Sequence, residues 1–76
     1  MSGGPVARLA EQAVAERDRE LLLEAFVAAA RFGEELELPF AAAEQLGLDA
    51  APLIEEAAQH LYVDEEAILR AYAENR

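Results

Sequence analysis

Apolar residues return every three or four positions along nearly the whole chain, a beat that only an α-helix satisfies. Val6, Leu9, Ala10, Ala13 and Val14 mark one stripe of a helix over about 5–17, with Arg8, Glu11, Gln12 and Glu16 on its other side. The stretch from Leu21 to Ala30 is apolar almost all round and richest along Leu22, Leu23, Phe26 and Ala30. Advancing each residue by about 100° carries the first stripe into Glu20, Glu24 and Arg31, roughly opposite the second. A single straight helix would therefore have to bury opposite faces in its two halves. Two arrangements satisfy this. Either the chain breaks near Asp18, which caps a second helix over about 19–32, or one long helix docks its first half on something else, such as a second copy. The capping preference of Asp favours the break, although the charged run Glu16 to Glu20 holds no Gly or Pro.

Punctuation divides the rest. Gly33 sits where a left-handed helix stop is expected. Glu34 to Leu38 alternates acid and Leu, as an extended connection or a short ragged turn. Pro39 opens a third helix over about 39–46 with Phe40, Ala43 and Leu46 inward, and Gly47 stops it. Asp49 starts a fourth, about 50–61, with Leu53, Ile54, Ala57, Ala58 and Leu61 on its apolar face and Pro52 tolerated in its first turn. Asp64 caps a fifth, about 65–75, with Ile68, Leu69 and Tyr72 inward. An echo at an offset of fifteen residues pairs Ala43, Leu46, Leu48, Asp49, Leu53 and Ile54 with Ala58, Leu61, Val63, Asp64, Ile68 and Leu69. It reads as two tight corners, each with an apolar residue tucked beneath and an Asp restarting the chain. The fold class is all-α, a compact bundle of four to five short helices forming a single domain over 5–76.

With 76 residues there is room for one core, and about 60% of the unfolded surface is buried at this size. Cysteine is absent, which removes disulfides and thiolate metal sites, so helix packing and oligomerisation remain as sources of stability. The chain is 54% apolar but only 7% aromatic, so the core is aliphatic. No apolar run reaches the roughly 18 residues of a membrane span. Met1-Ser2-Gly3-Gly4 lacks a basic region followed by an apolar stretch, and reads as a flexible cloning remnant rather than a signal peptide. A cytoplasmic or recombinant setting is expected.

Sixteen acids against six arginines give a net charge of −10, with no patch of one sign among the basic residues. Counterion release on phosphates needs clustered cations, so neither nucleic acid nor an anionic membrane is expected as a partner. A basic protein is an allowed partner, but acids scattered for solubility explain the charge as well. Lys and Thr do not occur, and Ser occurs only as Ser2. Acidic caps, helix bodies of Ala, Leu and Glu, glycine stops and the Met-Ser-Gly start together resemble de novo designed helical proteins. That resemblance spans the whole chain and implies a structural scaffold without a natural activity.

Motifs that carry chemistry are sparse. Ala43-Glu44-Gln45-Leu46-Gly47-Leu48-Asp49 through Leu53 resembles the helix-turn-helix of bacterial repressors, with a small residue in its first helix and Gly at the turn. The family reads DNA with polar side chains early in the second helix, whereas here Asp49, Ala50, Ala51 and Pro52 are followed by Glu55 and Glu56. His60, between Glu56 and Asp64, could belong to an acid–His–acid row for a metal or a general base. It reads better as a histidine at a helix C-terminus, where the dipole favours it. No Cys, Thr or Lys nucleophile exists, so no catalytic, cofactor-binding or metal-binding residue and no cofactor is assigned, and an enzyme is not expected. Tyr62 takes the place of Gly47 in the echo, either packing over the corner beside Tyr72 or standing as an exposed anchor. The alternative to a scaffold is a protein-binding module or homo-oligomer using the apolar face of helix 5–17. Its candidate interface is Val6, Leu9, Ala13 and Val14 with Tyr62.

Overall fold

The computed structural model describes residues 4–76, and its described residues form five α-helices and no strand. They are α1 (Pro5–Glu16), α2 (Arg19–Phe32), α3 (Glu37–Leu46), α4 (Ala50–Ala58) and α5 (Val63–Glu74). The cloning-remnant reading of residues 1–4 lies outside the described residues except at Gly4. That residue is the N-cap of α1, and its carbonyl accepts from Arg8 N at 3.2 Å.

The chain does break at Asp18. Its side chain accepts from the N–H groups of Glu20 and Leu21, two of the four donors that a helix start leaves free. The stop before it uses no glycine. Arg17 adopts φ 53°, Arg17 N bonds to the Val14 carbonyl and Asp18 N to the Ala13 carbonyl, which is a Schellman closure. A Cβ in the left-handed region costs roughly 1 kcal/mol. The opposed apolar stripes on either side of this corner favour the conformation despite that cost.

Helix α2 is central, packing against α1, α3, α4 and α5. Its face of Leu22, Ala25, Phe26, Ala29 and Ala30 is buried. Helix α1 lays Val6, Ala10 and Ala13 against α2 and α3. Every buried residue of the core is apolar, and half of the buried hydrophobic ones are alanine. Phe40 joins three elements. Its ring meets Phe26 edge-on at 5.0 Å and Tyr72 at 5.4 Å, and the Arg76 guanidinium lies 4.5 Å from its centroid.

Three boundaries differ from the sequence reading. Helix α3 starts at Glu37, not Pro39, because a proline fits anywhere in a first turn whose N–H groups have no helical partner. The earlier start draws Leu36 into the core. Helix α4 ends at Ala58 rather than near residue 61. Without a glycine its end tightens instead, through bonds from Gln59, His60 and Leu61 N to carbonyls three residues back. Helix α5 begins at Val63, so Asp64 lies inside its first turn and is not the cap. The N-cap is Tyr62, whose N–H donates to Glu65 Oε1 at 3.0 Å. Inward packing also differs within α5. Leu69 is buried and Tyr72 half-buried, but Ile68 is 41% exposed.

Candidate functional site

The residues offered as an interface do not come together on a surface. Val6 and Ala13 are buried within the chain, Leu9 and Val14 are half-buried, and Tyr62 stands apart at 75% exposed. The apolar stripe of α1 therefore has intramolecular partners in α2 and α3. Tyr62 does not pack beside Tyr72, which instead contacts Phe40. Its φ of −74° and ψ of 164° are extended, so it avoids the left-handed conformation that an aromatic side chain disfavours.

A concavity lies along α2. With Leu22 and Phe26 turned inward, the same helix presents Glu20, Leu23, Glu24, Val27 and Arg31 on its other side. Leu9 of α1 and His60 of the α4–α5 corner form the flanks, and Ala28 and Phe32 complete a shallow groove of about 490 Å³. Phe32 is 59% exposed, the last residue of α2 before Gly33 turns the chain at φ 68°. The sequence does carry the signal for this surface. A helix apolar almost all round must expose some of that apolar surface once four neighbours prove too few to cover it.

Charges around the groove are unevenly compensated. Arg31 pairs loosely with Glu65 at 3.9 Å and donates to the His60 carbonyl at 2.8 Å, tying α2 to the last corner. Glu20 and Glu24 form no ion pair among the described residues, although Glu20 lies near Arg19. The remaining arginines with partners also bridge elements. Arg19 reaches Glu56, Arg70 holds Glu55 at 2.9 Å and, within α5 itself, Glu66 at 2.7 Å, and Arg76 meets Glu44 at 2.8 Å. Hydrogen bonds from Arg70 and Arg19 hold the Glu55 and Glu56 carboxyls below the usual carboxylate range.

His60 lies beyond the end of α4, exposed, with its backbone N bonded to the Ala57 carbonyl. Glu56, His60 and Asp64 thus do not share one helix face, and no group of three metal-binding side chains occurs among the described residues. The repressor-like corner has a Schellman stop, with Gly47 N on the Glu44 carbonyl and Leu48 N on the Ala43 carbonyl. The exposed residues of the helix that follows include Ala51, Pro52 and Glu55. No helix among the described residues is long and apolar enough to cross a membrane. No protein-family model, curated protein or solved structure matches this chain.

Proposed function

We propose that this chain is a designed helical scaffold, holding a fixed shape in an aqueous, cytoplasmic setting without a substrate or cofactor. One observation supports this reading above others: side-chain caps and ion pairs between elements fix the helices around a core in which every buried residue is apolar. Asp18 and Asp49 cap helices, and four of the arginines cross between elements to carboxylates. Self-sufficiency is the testable content. The isolated chain should melt in one cooperative transition and give dispersed side-chain NMR signals with nothing added. A molten chain that orders only when a partner is supplied overturns the scaffold reading.

A second reading, a module that binds protein or itself, is favoured by the α2 groove. Phe32, Leu23 and Val27 leave apolar surface in contact with water beside unpaired carboxylates. Surface of that kind gains free energy when covered. A basic protein and a second copy of the chain are its two candidate occupants.

A further inference from the structure

We infer that the α2 groove is a self-complementary surface, on which two copies of this chain pair with their α2 helices antiparallel. The inference rests on the second reading above and names its occupant. The order of charges along the groove carries it. Glu20 and Glu24 occupy the N-terminal half of the exposed face, and Arg31 the C-terminal half, with Val27 between them.

A two-fold axis perpendicular to α2 makes each patch meet itself in reverse. The acidic half of one copy then faces Arg31 of the other, twice per pair. Phe32, which projects at the C-terminal end, meets the half that Leu9 and Leu23 line. A parallel arrangement would instead set acid on acid and arginine on arginine.

The net charge of −10 on each copy opposes association, but charges beyond about 8 Å are largely screened at physiological salt. The adjacent complementary pairs decide the orientation. One short helix face buries less than a stable dimer interface, so the pair is weak and forms with rising concentration.

Two reversals test the inference by sedimentation equilibrium over a concentration series, with circular dichroism confirming the fold of each variant. Glu24→Arg changes an exposed residue without an ion-pair partner, so the fold should survive. It takes the net charge from −10 to −8, each reversal being worth two charges. A dimer limited by overall repulsion should then tighten, whereas the antiparallel pair should weaken by about tenfold or more, because the introduced guanidinium would face Arg31 of the other copy. Arg31→Glu should weaken it likewise. Mixing the two variants should restore association, since both cross-contacts become complementary again.

A wild-type chain that stays monomeric at the highest attainable concentration overturns both the pairing and self-association. A dimer indifferent to Glu24→Arg overturns the α2 surface while leaving self-association standing. A monomer that binds a cationic amphipathic peptide in the groove overturns the pairing in favour of a basic partner.

Discussion

Two corners of this molecule are spelled alike and built differently. The α3–α4 corner stops on Gly47 at φ 71°, closes with a Schellman pair, and restarts at Ala50 under an Asp49 cap to Ala51 N at 3.1 Å. At the aligned position the α4–α5 corner has Tyr62, and no left-handed residue occurs there. The helix instead tightens into i→i−3 bonds at Gln59, His60 and Leu61, and α5 begins two residues early in the aligned register. Two residues turn a helix by about 200°. The apolar pair that follows is accordingly set differently. Leu53 and Ile54 are both buried, but of Ile68 and Leu69 only Leu69 is. Val63 lies 87% exposed and its counterpart Leu48 37% exposed, so neither is tucked beneath its corner as the echo predicts. The two corners thus differ both in how the first helix ends and in which residues of the next helix are buried.

The comparison breaks most sharply at the aligned apolar pair. Leu53→Ala should destabilise the fold by about 2–5 kcal/mol, as buried leucines do, and Ile68→Ala by less than about 1 kcal/mol. Equal losses in chemical denaturation would mean the two corners are equivalent after all. The next effect concerns left-handed stops. Gly47→Ala has open space for its Cβ but keeps φ 71°, so backbone strain alone should cost about 1 kcal/mol. Arg17→Gly should give a gain of similar size at the α1–α2 stop, read as a rise in the thermal midpoint.

Helix starts come third. Asp49→Ala removes a cap and should cost about 1 kcal/mol, whereas Asp64→Ala should cost less, because Asp64 bonds only its neighbour Glu65 N. Glu65→Ala should exceed Asp64→Ala, since Glu65 holds the Tyr62 N–H. The smallest effect is electrostatic. Paired carboxyls whose folded pKa lies below the ordinary 4.5 contribute stability that is complete above that value and is lost as pH falls through the folded pKa. The stability difference between wild type and Glu56→Gln should therefore shrink on acidification from about pH 7 to about pH 3. A difference that holds constant into acid would remove Arg19–Glu56 as its source.

What could be read from one dimension was whatever local chemistry decides. The Asp18 and Asp49 caps, the Gly33 and Gly47 stops, the inward Leu22, Phe26 and Ala30 of α2 and the inward Leu53, Ile54 and Ala57 of α4 follow from side chains acting within a turn or two of their own position, whereas Leu23 lines the groove instead of the core. The start of α3 was not legible, because Leu36 offers no capping group and Pro39 marks a first turn without fixing its first residue. Nor was the partner of the α1 stripe. It is buried by α2 and by α3 folding back over it, and the α3 contact is a long-range one that periodicity does not encode. The α2 groove fell between these cases: excess apolar surface was visible, but which part of it stayed uncovered was not.

Ala13, Ala25, Ala29, Ala43 and Ala57 leave essentially nothing of themselves to solvent. Methyl groups allow helix backbones to approach closely, and protein interiors pack densely enough that a longer side chain at such a position forces its neighbours to shift. Enlarging any of them to Val or Leu should wedge the helices apart at a cost of about 1–3 kcal/mol. Variation in this molecule is thus lopsided: its outer faces can be rewritten widely, while its interior accepts changes only downward in size or in compensating pairs.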